Sequence, residues 1–156
     1  MAPRNKKIRQ PKDAIALLRA DHKKVRKLFQ EYETAMDWPT RLSVATLVFI
    51  ELETHAQLEA NVFYPAVHEE TDYGAALVKK SLAEHETIKQ LIQELRELGP
   101  DFKAFDTKFK ELITAVEYHV AEEEKEMFPL AEEELEEDMQ DLRHEMQQLK
   151  EQLLAS

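Results

Sequence analysis

The residues best suited to chemistry in this sequence are histidines and glutamates that recur at a fixed spacing. The segment HAQLE runs from His55 to Glu59, and the segment HVAEE runs from His119 to Glu123, 64 residues later. In each segment a glutamate follows a histidine by four residues, which on a helix stacks the two side chains on one face, one turn apart. Imidazole and carboxylate ligands presented together favour iron, manganese or zinc.

Two further histidines belong to the same internal repeat. DHKKVRKLF around His22 matches EHETIKQLI around His85, 63 residues later. The apolar stripes that carry these residues contain no lysine or arginine to pair with two buried carboxylates, and an unpaired buried carboxylate is strongly unfavourable. Two metal ions that share the carboxylates and take two histidines each would supply the missing positive charge. The alternative is a polar layer with a purely structural role. The predicted metal ligands are His22, His55, Glu59, His85, His119 and Glu123.

The elements that must position these residues are predicted to be helices. With two glycines in 156 residues and 34% charged residues, the chain is unsuited to an all-β sandwich or a glycine-loop nucleotide fold. Apolar residues recur at helical spacing in four segments, at about 12–36, 40–70, 73–98 and from 101 to beyond 129, with Trp38-Pro39 ending the first and Thr40 capping the second. The pattern predicts an all-α, up-down-up-down four-helix bundle with an approximate internal twofold repeat.

The sequence divides into three parts. Residues 1–11 are predicted to form a basic flexible tail, residues 12–131 the bundle, and residues 132–156 an additional C-terminal amphipathic helix. This last helix either docks on the bundle or pairs with a second copy in a homodimer through residues 135–153, and the pattern leaves both open. Its seam repeats at steps of four and three, as in coiled coils, and consists of Leu135, Met139, Leu142, Met146, Leu149 and Leu153.

Composition also excludes several kinds of chemistry and partner. The chain has no cysteine, which removes disulfides, iron–sulfur clusters and thiol nucleophiles. Its net charge of −11 argues against nucleic acid as a partner. No apolar run is long enough to span a bilayer, and the N-terminal residues lack a secretory signal. We therefore expect a cytoplasmic protein with no membrane partner.

Over residues 12–131 the chain resembles the hemerythrin-like domains, also called the HHE cation-binding family. The resemblance rests on HAQLE, on HVAEE and on the single histidine in each of the other two helices. It implies two iron ions in an oxo- or hydroxo-bridged, non-haem di-iron centre that meets oxygen or related small molecules, with manganese or zinc less favoured. It also implies bridging roles for Glu59 and Glu123 and terminal roles for His22, His55, His85 and His119.

The sequence departs from the invertebrate oxygen carriers of this family. Those proteins carry an HxxxH pair on the third helix, whereas the residue four positions after His85 is Lys89. They also place a carboxylate five residues after the last histidine, where this chain has Glu124, but the HxxxE repeat favours Glu123. Fewer histidines leave open metal positions, which favours reactivity or sensing over reversible oxygen carriage.

The leading functional hypothesis is a hemerythrin-like protein that binds or reacts with O2, peroxide or nitric oxide through a carboxylate-bridged metal pair. A peroxide-degrading or oxidase-type activity is one form this reaction could take, and no separate catalytic residue is assigned. One alternative is an iron or redox sensor that signals through the C-terminal helix. Another is a metal-free helical interaction module.

Residues near the predicted ligands are assigned with less specificity. Glu51 lies one turn before His55 and is an acceptor for an imidazole N–H, an extra ligand or a surface glutamate. Three tyrosines are expected to be packing residues rather than ligands, and two histidines outside the repeat are expected at the surface; they are Tyr32, Tyr64, Tyr118, His68 and His144.

Overall fold

The structure is a computed structural model and describes residues 12–99 and 101–155, so the predicted tail at 1–11 lies outside it. In the described residues all regular structure is helical, as predicted. The helices are α1 (Ala14–Thr34), α2 (Trp38–Leu58), α3 (Tyr64–Glu70), α4 (Asp72–Glu97), α5 (Phe102–Glu122), α6 (Phe128–Glu134) and α7 (Met139–Ala155). A π-helical turn at Glu59–Phe63 joins α2 to α3, another at Glu123–Met127 joins α5 to α6, and a 3-10 turn at Glu136–Asp138 precedes α7. None of the described helices has the length and apolarity needed to cross a membrane.

The bundle consists of four rods, namely α1, α2 continued by α3, α4, and α5 continued by α6. Helix α1 packs against α2, and α4 packs against α3 and α5, as expected for antiparallel neighbours joined by short connections. Its core has two apolar layers, one around Phe29 and Phe109 and the other around Leu18, Phe63 and Phe128. The histidines and glutamates of the repeat lie between these layers.

The first connection differs from the prediction. Trp38-Pro39 begins α2 instead of ending α1, and the N-cap is Asp37 rather than Thr40. The Asp37 carboxylate accepts a hydrogen bond of 2.8 Å from the backbone N–H of Thr40. Proline is tolerated in the first turn because its missing N–H would have no helical partner there. The aspartate before Trp-Pro was therefore the correct start signal.

The two π-helical turns were not predicted, and each lies just before a proline. Pro65 and Pro129 are in the first turns of α3 and α6. A proline inside a continuous α-helix clashes with the carbonyl four residues earlier and lacks the N–H that would bond to it. The wider π-helical turn absorbs one extra residue and lets the rod continue. Its closing bonds run from the N–H of Tyr64 to the carbonyl of Glu59 and from that of Phe128 to Glu123.

Helix α7 folds back on the bundle and packs against α1, α2 and the first π-helical turn. The first four seam residues, Leu135, Met139, Leu142 and Met146, are buried in the same apolar layer as Leu18 and Phe63. Within the single chain described, α7 takes the docked arrangement, one of the two that the sequence left open.

We expect Met146→Ala to lower the free energy of unfolding by about 2–5 kcal/mol, because Met146 is fully buried and its truncation leaves a cavity. Denaturant unfolding followed by circular dichroism measures this change. The control Leu154→Ala alters a side chain on the same helix that is 55% exposed and should change stability by less than about 0.5 kcal/mol. A loss that vanishes at low protein concentration would indicate that α7 is stabilised by a second copy instead.

Candidate metal centre

All six predicted ligands meet in one layer at the centre of the bundle, five of them buried and His85 partly buried. Their donor atoms form two groups, within each of which all atoms lie within 4.8 Å of one another. Glu59 belongs to both groups. The first group contains His22, His55, Glu59 and Glu123, and the second contains Glu59, His85 and His119.

The first group gathers around two imidazoles that face each other from α1 and α2. His22 Nε2 lies 3.1 Å from His55 Nε2 and 3.2 Å from Glu123 Oε1, and His55 Nε2 lies 3.2 Å from Glu59 Oε1. Two nitrogens bonded at right angles to one ion at about 2.1 Å stand about 3 Å apart. The spacing therefore fits neighbouring ligands of a single metal ion.

The second group repeats this arrangement on α4 and α5. His85 Nε2 lies 3.2 Å from His119 Nε2 and 3.0 Å from Glu59 Oε1. His119 Nε2 is 3.8 Å from Glu59 Oε1 and 3.5 Å from Glu123 Oε2. Glu59 thus reaches both pairs of imidazoles, and the two oxygens of Glu123 face one pair each. This placement suits both carboxylates for bridging two ions.

The imidazoles are oriented by carboxylates that contact their other ring nitrogens. His55 Nδ1 lies 2.9 Å from Asp21 Oδ2, and His119 Nδ1 lies 2.8 Å from Glu84 Oε1. Asp21 and Glu84 each directly precede the other histidine of their pair, so this orienting contact is part of the internal repeat. Such contacts fix the tautomer of a metal-binding histidine and raise its basicity.

Glu124 performs the same orienting role for His22, since its Oε1 lies 3.0 Å from His22 Nδ1. The structure thus separates the two neighbouring glutamates. Glu123 projects into the donor layer, and Glu124 contacts the Nδ1 atom of His22.

Tyr64 was expected to be a packing residue, but the structure places it at the site. Its hydroxyl donates a 2.5 Å hydrogen bond to Glu123 Oε2 and lies 3.2 Å from His85 Nε2 and 3.5 Å from His119 Nε2. Tyr64 follows Glu59 by five residues, which on a regular α-helix would turn it away from the site. The π-helical turn absorbs one residue and returns Tyr64 to the ligand face. The proline at position 65 was the available signal.

The other candidates lie outside the donor layer. Glu51 pairs with Lys24 at 2.6 Å, and Tyr32 donates to Asp106 at 3.0 Å. The side chains of His68 and His144 are exposed, as expected for surface residues. Tyr118 was expected to be a packing residue, but its side chain is exposed as well.

The buried carboxylates of the layer raise the pKa values of two of its histidines. Burial by itself lowers the pKa of His119, but Glu59 and Glu84 outweigh it and raise this pKa to about 10. Burial likewise opposes a charged His55, whereas the Glu59 charge and the bond to Asp21 hold the pKa of His55 well above its usual value. With protons as the only cations, both imidazoles are therefore charged at neutral pH.

The two glutamates respond in opposite ways. Burial and the neighbouring Glu59 charge both raise the pKa of Glu123. Burial also disfavours an ionised Glu59, but the charge of His55 and hydrogen bonds in the layer keep the pKa of Glu59 well below its usual value. Burial together with both carboxylates raises the pKa of Tyr64 well above its usual value, so its hydroxyl keeps its proton.

Two carboxylate oxygens are buried and accept no hydrogen bond among the described residues, namely Glu59 Oε2 and Glu123 Oε1. The 3.2 Å contact between His22 Nε2 and Glu123 Oε1 lacks hydrogen-bond geometry. Orphaned buried oxygens are costly and call for an explanation. Metal coordination would satisfy both atoms, and the nitrogen and oxygen donors suit iron, manganese or zinc. The residues present therefore fit a metal pair.

A cavity of about 200 Å³ reaches the donor layer between α2 and α4. His55, His85 and His119 line it together with apolar side chains, among them Leu52, Ile88 and Val116, and Lys89 also lies on its wall. A small uncharged molecule could approach the imidazoles by this route.

The sequence matches the profile of the Hemerythrin HHE cation binding domain over residues 13–131. It is similar to the crystal structure of a Hemerythrin HHE cation binding domain-containing protein from Mycobacterium kansasii, with a TM-score of 0.77 and 22% identity, over 90% of this chain and 86% of that one.

Two curated relatives are longer proteins than this chain. The chain is 28% identical over 112 residues to a DNA nickase of Nostoc sp., covering 72% of this chain and 31% of the nickase. It is 25% identical over 119 residues to an uncharacterized hemerythrin-like protein of Schizosaccharomyces pombe, covering 76% of this chain and 59% of that protein. The chain thus spans less than two thirds of either relative.

We expect metal uptake by the metal-depleted protein to release protons and to strengthen as the pH rises from about 6 toward the pKa of His119, about 10. The raised pKa values mean that protons occupy His55 and His119 across this range and compete with the metal. Each displaced proton should contribute about a tenfold gain in affinity per pH unit. Titration with Co²⁺ at several pH values measures this slope, and an affinity independent of pH would contradict the assignment.

Proposed function

Because this chain belongs to the hemerythrin HHE cation-binding family, we propose that it holds two iron ions that react with O2, peroxide or nitric oxide. The observation that carries this proposal is the pair of donor groups sharing Glu59. A single metal site would use one group and leave the imidazoles of the other paired only with carboxylates. A structural polar layer would leave Glu59 Oε2 and Glu123 Oε1 without partners.

The ligand set follows from the two groups. His22 and His55 would hold one ion, His85 and His119 the other, and Glu59 and Glu123 would bridge them. When bound, an iron pair supplies the one- and two-electron redox chemistry that these small molecules require. The chain itself fixes the ligands, excludes water and holds protons.

Water exclusion follows from the position of the layer between two apolar cores. Phe63 and Phe128 close it on one side, and Phe109 belongs to the core on the other. The cavity between α2 and α4 leaves one route for a small molecule. Lys89 lies on this route where an oxygen carrier of the family has a further histidine, which favours reaction over reversible carriage.

Tyr64 holds a proton next to the reacting positions. Its Oη donates to Glu123 and lies 3.2 Å from His85 Nε2, and its raised pKa keeps the hydroxyl protonated. A phenol so placed can donate a proton to an oxygen atom of a reduced small molecule and later recover it. This role makes peroxide a suitable substrate.

We propose no nucleic-acid or membrane partner. The Nostoc relative is a DNA nickase, but this chain spans 31% of it and carries a net charge of −11. The domain assignment is a bundle at 12–131 with α7 as a docked helix, and we favour this docking over a homodimer through residues 135–153. A cytoplasmic location is part of the same proposal.

A regulatory protein is the second candidate function. It is favoured by one contact, in which Lys150 of α7 reaches Asp21 behind His55. A sensor of iron or redox state could use such a contact to connect the centre to the C-terminal helix.

We expect the wild-type protein to bind two irons per chain and Glu59→Gln to bind far fewer, because Glu59 contributes to both donor groups. Glu123→Gln should chiefly weaken iron binding at the position of His22 and His55, because Glu123 belongs to that donor group. Iron content after anaerobic loading and desalting, read with the visible spectrum, measures both effects.

Glu122→Gln is the matched control for these variants. Glu122 precedes Glu123 on the same rod but pairs with Lys80 at 3.2 Å outside the donor layer, so its removal should leave two irons. A wild-type protein without metal would favour the helical interaction module. A colourless protein loaded with zinc would remove the redox function.

We expect Tyr64→Phe to retain its metals and to slow peroxide consumption by about 10²-fold or more, since it removes the proton donor beside Glu123. Oxygen evolution or peroxide loss, measured with equal iron loading, tests this effect. Tyr118→Phe removes a hydroxyl next to His119 in sequence but 55% exposed, and it should react at the wild-type rate. Equal rates for Tyr64→Phe and wild type would exclude Tyr64 as the donor.

A further inference from the structure

Lys150 connects the C-terminal helix to one of the two imidazole pairs. Its Nζ lies 2.9 Å from Asp21 Oδ1, and Asp21 Oδ2 lies 2.9 Å from His55 Nδ1. Asp21 is buried, with 6% of its side chain exposed, whereas Lys150 is 28% exposed. A charged group on α7, beyond the family match at 13–131, therefore acts on a predicted ligand through a single carboxylate.

The other half of the repeat lacks this cation. Glu84 contacts His119 Nδ1 at 2.8 Å, as Asp21 contacts His55, but no lysine or arginine among residues 12–99 and 101–155 pairs with Glu84. Helix α7 packs chiefly on α1 and α2, so it covers mainly one half of the bundle. The two metal positions therefore have similar ligands and different outer charges.

A positive charge near a metal ion favours its lower oxidation state, because the added repulsion is greater for Fe³⁺ than for Fe²⁺. Lys150 has a second effect of the same sign. By pairing with Asp21 it weakens the pull of this carboxylate on the His55 N–H, and a less basic imidazole donates less charge to the metal. Both effects raise the reduction potential of the ion that His22 and His55 hold.

We propose that Lys150 is a positioning residue which, through Asp21, makes the metal position of His22 and His55 more oxidising than that of His85 and His119. The inference rests on the di-iron centre proposed above. It assigns to α7 a role in the redox chemistry beyond its packing, and it makes the two irons inequivalent in the one-electron step Fe³⁺ + e⁻ ⇌ Fe²⁺.

The test is an anaerobic reductive titration of the iron-loaded full chain, followed by its visible spectrum. We expect two reduction steps in the wild type. In Lys150→Met the step at higher potential should move to lower potential by about tenfold in the ferrous-to-ferric ratio, or about 59 mV for one electron. The step at lower potential should not move. Lys150→Arg keeps the charge and should restore the wild-type titration to within about threefold.

Arg143→Met is the matched control. Arg143 lies on the same helix, bonds to Gln140 and Gln147 within it, and its loss lowers the net charge by the same amount. Its titration should match the wild type. Lys150→Gln keeps a hydrogen-bond donor near Asp21 and decides the question if Lys150→Met does not fold, with thermal melting of both variants as the measure of a structural effect.

Three results would overturn the inference: an unchanged titration in the Lys150 variants, an equal shift of both steps, or the same shift in Arg143→Met. Each of them leaves the di-iron centre in place, since two irons per chain would still be counted in the wild type. A wild-type chain that binds no iron would overturn the proposed centre and this inference with it.

Discussion

The cost of burying Glu59 and Glu123 between two apolar layers governs how this bundle is built. Among residues 12–99 and 101–155 neither carboxylate has a lysine or arginine beside it, and each has one oxygen without a hydrogen bond. In the described part of the chain, four imidazoles, one from each of the four rods, lie around these carboxylates. The result is a layer that is unfavourable by itself and becomes favourable with bound cations, so that metal binding and folding share one free energy.

The same layer is linked to the π-helical turns in two of the rods, the one formed by α2 and α3 and the one formed by α5 and α6. Each turn begins at a predicted ligand, Glu59 or Glu123. The wider turn accommodates Pro65 and Pro129 and also rotates the residue that follows it back toward the centre. In one half this residue is Tyr64, which contacts Glu123, and in the other it is Phe128, which packs among apolar side chains. The same π-helical turn thus occurs in both halves, but it brings a hydroxyl group to the site in only one of them.

The helical class, the six donor residues and their meeting in one layer could be predicted from the sequence, because helical spacing and the internal repeat are local patterns. The place of Tyr64 could not be predicted from regular helical spacing, since a residue five positions after Glu59 in a regular α-helix points away from the ligand face. The role of Asp37 as the cap of α2 was missed because Trp38-Pro39 has the composition of a chain break. The contact between Lys150 and Asp21 joins residues 129 positions apart, and no periodicity predicts such a pair.

The two halves of the chain are alike in sequence, yet their surroundings differ at two points. The His85 and His119 half has the Tyr64 hydroxyl beside it, and the His22 and His55 half has Lys150 behind Asp21. In the proposed centre the position of His85 and His119 would receive a proton most readily, from Tyr64. The position of His22 and His55 would be reduced most readily, because of Lys150. In the proposed centre the duplicated ligand set would supply two metal positions, and Tyr64 and Lys150, which have no counterpart in the other half, would distinguish them. Chemistry that needs both a proton and an electron is therefore better matched to this centre than reversible binding, for which two equivalent positions would serve as well.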